Sequence, residues 1–112
     1  LTGCAAPRRS EPPPSTPGTW ALAIHGGVGT LERRASTAEQ QEYLDALRAA
    51  LEEGRARLAR GESALDVCEA VVRVLEDDPH FNAGRGAAFD EQGQHELDAS
   101  IMDGSSLGCG AV

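Results

Sequence analysis

The sequence predicts an α+β domain in which helices layer on a mostly antiparallel sheet. Three observations carry this. A short apolar run, Trp20–His25, stops abruptly at the glycine-rich loop Gly26-Gly27-Val28-Gly29. Two segments with apolar residues at helical spacing follow, each opened by a serine. From Gly86 onward the apolar period drops to two, the signature of strands. A strand, two helices and then consecutive strands is the order expected when helices are segregated to one face of a sheet.

Each element has a local reason. Trp20–His25 reads as a buried strand running into a tight glycine loop. Ser36-Thr37-Ala38-Glu39 fits the capping box, in which the Ser side chain and the Glu three residues on satisfy orphan N–H groups. Behind it Leu44, Leu47, Leu51 and Leu58 fall at helical spacing, and Gly61 is a plausible stop. Ser63-Ala64-Leu65-Asp66 opens the second helix, with Leu65, Cys68, Val72 and Leu75 as its expected buried stripe and Cys68 as a small buried hydrophobe. Pro79 ends it by disfavouring helix at the residue before. Ala87–Phe89, a turn around Glu91–Gln94, and Glu96–Met102 form a hairpin candidate. A turn at Asp103–Ser106 leads to a last strand starting near Gly108.

Composition narrows the function. The net charge is −8 over 112 residues, and every one of the ten Lys/Arg cations is Arg. An acidic chain with no basic stripe and few aromatics is a poor nucleic-acid binder, because phosphate contacts need clustered cations. No apolar run approaches the roughly 20 residues that span a bilayer. The three cysteines, Cys4, Cys68 and Cys109, have neither C-x-x-C spacing nor a His in zinc-ligand register.

Residues 1–18 stand apart from residues 19–112. Leu1-Thr2-Gly3-Cys4 looks like a bacterial lipobox, whose cysteine thiol takes the lipid, and residues 5–18 hold five prolines and no large apolar side chain. The expectation is an exported bacterial protein, periplasmic or at the cell surface, lipid-anchored to a membrane through Cys4 and a proline-rich tether. A soluble protein with a disordered terminus is the alternative. The chain as a whole reads as a piece of something longer.

Several places could carry chemistry. The Gly26-Gly27-Val28-Gly29 loop could cradle an anion or admit a substrate to the backbone, or simply end a strand; it has neither Walker nor Rossmann spacing. His25 is either a hydrogen-bonded structural residue or a general base with no nucleophile in its local pattern. Leu75–Gly86 is the densest stretch: a helix C-terminus with unpaired carbonyls, three consecutive acids at Glu76, Asp77 and Asp78, then a Pro/Gly-punctuated loop holding Asn82. Converging carbonyls at a helix end suit a hard cation such as sodium or calcium; an acidic solvated helix end is the plainer reading. Asp98, Ser100 and Asp103 could form a carboxylate acid/base site, although a hydrogen-bonding role suits them better.

Taken together, Ala23–Gly29, Gly61–Val67, and Phe81–Phe89 continuing through His95–Gly104 resemble the N-terminal part of the plant-type L-asparaginases, also called isoaspartyl peptidases or beta-aspartyl-peptidases. The resemblance covers residues 20–112, and its specificity lies in the order and spacing of the blocks. It implies an N-terminal-nucleophile hydrolase with an αββα sandwich, here incomplete. In that family the precursor cleaves itself before a Thr, whose freed amine and hydroxyl attack the side-chain amide of Asn or the beta-linked peptide of isoaspartate. That Thr opens a Thr-Val-Gly-like segment, and neither Thr19 nor Thr30, the threonines that follow a glycine here, precedes Val-Gly. No catalytic residue is therefore expected in these 112 residues, and the chain alone should be inactive.

What the resemblance places here is support. His25, Gly26 and Gly27 match the loop beside the nucleophile, and Asn82 matches an Asn near the active site. The backbone carbonyls of Leu75, Glu76, Asp78, Phe81, Ala83 and Arg85 match a structural sodium site, with no cofactor needed for catalysis. The implied partners are a small-molecule substrate (Asn or a beta-aspartyl dipeptide), the protein's own C-terminal subunit after self-cleavage, and a second copy in a dimer of heterodimers. A glycosylasparaginase-like amidohydrolase, or a non-catalytic surface-binding lipoprotein of the same fold, are the alternatives.

Overall fold

The computed structural model describes residues 20–27 and 36–112. The proline-rich tether and the lipidation expectation at Cys4 lie outside the described residues.

Helix α1 spans Thr37–Ala59 and begins as its capping box requires. Ser36 Oγ accepts from the Glu39 N–H at 3.2 Å, and Glu39 Oε2 accepts from the Ser36 N–H at 2.7 Å. The helix stops where Gly61 takes φ +84°, a left-handed conformation that glycine adopts without steric penalty. Arg57 ties the turn down by bonding Glu53 at 2.6 Å and Glu62 at 2.9 Å. Helix α2, Ala64–Asp77, is capped by Ser63, whose Oγ accepts from the Asp66 N–H. It ends ahead of Pro79 with Asp78 extended, at φ −93° and ψ 120°. No helix among the described residues is long and apolar enough to cross a membrane.

The two helices pack on a different stripe from the one expected. The buried residues are Ala50 and Gly54 on α1 and Val67, Val71 and Leu75 on α2, with Phe81 closing the cluster. Of the expected set on α1, Leu47 and Leu58 reach the core only partly, and Leu44 and Leu51 are exposed. On α2 only Leu75 belongs to it; Leu65, Cys68 and Val72 are exposed. The physical reason is close approach. A Cβ on Gly54 would sit 2.5 Å from Leu22 Cδ2 and 2.7 Å from Val71 Cγ2, so small residues on α1 admit the branched side chains of α2. Cys68 is consequently not a buried hydrophobe.

Residues 20–27 pair with no strand among the described residues, so the expected buried strand is not formed as a ladder. Burial nevertheless alternates along them, with Leu22, Ile24 and Gly26 turned inward and Ala21, Ala23 and His25 outward, the period of a strand laid across helices.

The expected hairpin from Ala87 to Met102 also differs. Its turn forms, with Asp90 Oδ1 accepting from the Gln92 and Gln94 N–H groups and Gly93 at φ +76°. Its arms do not pair as strands. Instead β1 (Ser100–Met102) pairs antiparallel with β2 (Cys109–Ala111), Ile101 opposite Gly110, and the ladder extends through reciprocal bonds between Ala99 and Val112. The turn at Asp103–Ser106 is where the sequence placed it. The Asp103 carboxylate accepts from the Ser105 backbone N–H and from the Ser105 and Ser106 hydroxyls. These bonds, the Ser105 N–H foremost, hold the carboxyl below its ordinary range. Asp103 is a turn residue, not half of an acid/base pair.

Candidate active site

His80, Phe81 and Asn82, in the turn after α2, reach three different neighbours. Pro79 turns the chain, and the Phe81 N–H closes the bend on the Asp78 carbonyl at 3.2 Å. Phe81 then inserts its ring under the glycine loop. A Cβ on Gly26 would lie 2.9 Å from Phe81 Cε1 and 3.2 Å from Leu47 Cδ2, so only a glycine lets the two segments meet here. Asn82 comes next, and its Oδ1 would stand 3.1 Å from a Cβ on Gly27, a residue at φ +84°. The structure thus brings Gly26, Gly27 and Asn82, far apart in sequence, into one place.

His25 joins them through Gly27. Its Nδ1 accepts from the Gly27 N–H at 3.0 Å, which assigns the ring proton to Nε2 in the neutral form. The side chain is therefore spent on holding the loop, as a structural histidine is, while Nε2 stays available. His25, Gly26 and Gly27, together with Ile24, Tyr43, His80 and Phe81, line an open cleft of about 710 Å³ between the glycine loop and α1.

His80 is the residue that sequence reading passed over. Asp78 Oδ1 accepts from both the His80 backbone N–H (2.9 Å) and ring Nδ1 (2.6 Å). The other ring nitrogen lies 3.6 Å from Glu42 Oε2 on α1, and the ring meets Tyr43 edge-on with centroids 5.1 Å apart. The signal was an acid two residues ahead of a His at a helix end, a spacing at which one carboxylate can hold both N–H groups.

Charge follows this geometry. The hydrogen bond to Asp78 raises the His80 imidazole above its ordinary value, against an opposing desolvation, with the Asp78 charge and Glu42 adding to the rise. Desolvation pushes the Asp78 carboxyl up, but its bonds to the His80 backbone and ring outweigh that and leave it lowered. The signs give a window. The His80 contribution to stability is full below the ordinary histidine value of 6.5 and is lost as pH rises through the raised folded value. The Asp78 contribution is present above the ordinary 3.8 and is lost as pH falls through the depressed one. Thermal unfolding should therefore show a loss of stability as pH rises above 6.5 that is absent in His80→Gln; identical profiles for both proteins would disprove the coupling.

The carbonyls expected to hold a cation lie in the same loop. The Glu76 carbonyl accepts from the Arg85 N–H at 2.8 Å, folding the loop back on the end of α2. A Cβ on Gly84 would stand 2.5 Å from the Glu76 oxygen, and one on Gly86 would collide with the Phe81 and Pro79 oxygens. Carbonyl oxygens thus crowd the two glycines on the inner side of the loop.

Comparison with known proteins gives the family. Residues 18–112 match the family model described as Asparaginase. The chain is 50% identical over 92 residues to the isoaspartyl peptidase of Escherichia coli, an overlap of 81% of this chain and 29% of that protein. It is 46% identical over 95 residues to the probable isoaspartyl peptidase/L-asparaginase 2 of Arabidopsis thaliana (85% and 29%). To the plant-type L-asparaginase of Pyrococcus abyssi it is 41% identical over 92 residues (82% and 29%). The chain therefore spans under a third of the length of these relatives. With residues 18–112 matched, this chain belongs to the Asparaginase family, whose fold is that of the N-terminal-nucleophile hydrolases.

Proposed function

We propose that the chain is the N-terminal part of a threonine-dependent amidohydrolase that cleaves L-asparagine and beta-aspartyl dipeptides. The observation that carries this reading is the seating of Asn82 Oδ1 against Gly27, on a loop pinned by His25. That junction gives the floor of a site whose nucleophile comes from elsewhere in the whole protein. The names of the relatives supply the substrate class.

In this reading the chain forms one helical layer and part of the sheets of an αββα sandwich, and a self-processed Thr completes the site. The Thr amine acts as base for its own hydroxyl. The chain's own residues position rather than react: Gly26 and Gly27 let the backbone come close, Asn82 orients a polar group at the junction, and Phe81 excludes water beneath it. The Leu75–Arg85 loop would hold a hard monovalent cation through carbonyl oxygens, the donor type such an ion takes, and those of Glu76 and Phe81 stand close against Gly84 and Gly86. Bound there, sodium would brace the loop after α2 that carries Asn82. Cys4 and the tether would hold the protein at a membrane, and Cys4→Ala would then move it to the soluble fraction.

The test is hydrolysis of a beta-aspartyl dipeptide by the whole protein. Activity is expected, and Gly27→Ala should cut kcat about tenfold or more by displacing Asn82. Residues 1–112 alone should release no aspartate above blank. A whole protein that binds but never hydrolyses these compounds would sink the reading.

A further inference from the structure

We propose that His80 is a positioning residue of this site: it ties the turn after α2 to α1 and so sets Asn82 against Gly27. The inference rests on the reading of that junction as part of an amidohydrolase site.

The argument is geometric. Asn82 can be placed only if the two residues before it are placed. Phe81 is held by packing, at 4% exposure. Its N–H bond to the Asp78 carbonyl closes the bend along the backbone, while the ring itself rests on Gly26 and the Tyr43 ring. His80 supplies direction. It donates to Asp78 Oδ1 from both backbone and ring, which locks the bend between the helix end and Phe81. Its far side faces Glu42 and the Tyr43 ring on α1.

Tyr43 closes the unit. Its ring stands edge-on to both His80 and Phe81, with centroids 5.1 and 6.1 Å away. Displacing His80 therefore disturbs the face against which Phe81 rests. The carboxylate–imidazole pair is directional where the aromatic contacts are not, because a charge-assisted bond at 2.6 Å tolerates little change of angle. Among the described residues the hydrogen bonds of His80 go to Asp78 and not to Gly27 or Asn82, so its influence on them passes through Phe81 and the bend.

The experiment compares His80→Ala with His80→Asn in the whole protein. The Asn amide nitrogen can take the place of ring Nδ1 on Asp78 but cannot reach Glu42 or stack on Tyr43. Two quantities are read: kcat and KM for a beta-aspartyl dipeptide, and the NMR signals of the Gly27 amide and Asn82 side-chain amide. His80→Ala should lower kcat about tenfold with KM within about twofold, and shift both signals. His80→Asn should restore most of kcat and return the signals toward wild type.

Wild-type kcat in His80→Ala, or a lowered kcat with unshifted Gly27 and Asn82 signals, would overturn the proposal. So would equal losses in both variants. Should His80→Ala fail to fold, Asp78→Asn against wild type asks the same question from the other side of the bond, and unshifted signals there would again overturn it. If the wild-type protein has no hydrolytic activity, the functional reading fails, while the NMR comparison still decides whether His80 places Asn82.

Discussion

Phe81→Ala is expected to destabilise the protein by about 3–5 kcal/mol. The ring is 4% exposed and is the one aromatic side chain in the buried cluster. Its edge rests on Gly26, and its neighbours on α1 are Leu47 and Tyr43. Truncation costs the transfer free energy of the ring plus that of the cavity left behind, and the second term depends on whether the surroundings can collapse. Here they cannot do so easily, because the segment above the ring is two glycines with no side chains to lean in. Phe89→Ala is the internal control. Phe89 is 70% exposed and stacked only on His95, so its loss should cost under about 1 kcal/mol. Urea unfolding of the two variants decides the matter; equal shifts in midpoint would mean that Phe81 is not the keystone of the cluster.

Gly54→Ala should destabilise the protein by about 1–2 kcal/mol even though helix propensity favours Ala over Gly by about 1 kcal/mol. Packing reverses the sign. The new methyl would fall 2.5 Å from Leu22 Cδ2 and 2.7 Å from Val71 Cγ2. Leu22 is only half-buried, and its branched end can swing aside. Val71 cannot, since a β-branched side chain in a helix is nearly confined to one rotamer and Val71 is 4% exposed. The helices must then move apart. Gly54→Val should cost more, and Val71→Ala should rescue part of the Gly54→Ala loss by vacating the space, giving a coupling of about 1 kcal/mol in a double-mutant cycle. A Gly54→Ala protein more stable than wild type would show that propensity wins and that the helices have room to spare.

The features legible in the sequence share one property: they are satisfied within a few residues. Ser36 with Glu39, Ser63 with Asp66, Asp78 before Pro79, Gly61 after α1, and Asp103 with its two serines are each closed by local bonds, and each was found where residue type placed it. Where the answer depends on a distant segment, local pattern misleads. Ranking apolar residues by size selects Leu44 and Leu51, whereas the helix contact is made where side chains are smallest, at Ala50 and Gly54. The run Trp20–His25 has a strand's alternation, but a ladder needs a neighbour that no local pattern names. For the candidate site, residue chemistry alone leaves His25 and the glycine loop ambiguous. Family resemblance, not periodicity, singled out Asn82, and the fold then set it against Gly27. His80 left a local trace in Asp78 two residues ahead, but its facing of Glu42 and Tyr43 on α1 depends on the fold.

The connector between α1 and α2 bears on the order in which the molecule assembles. It is only a few residues long, and the Gly61 N–H to Leu58 carbonyl and Glu62 N–H to Arg57 carbonyl bonds close it. Contacts across a short loop carry little entropic cost and form early, whereas contacts between distant segments must wait for larger loops to close. Among the described residues the helical pair is thus the packing that needs the smallest loop to close. The junctions of Gly26 with Phe81 and of Gly27 with Asn82 close far longer loops, and a packed helical pair lowers that cost by already holding one side of each in place.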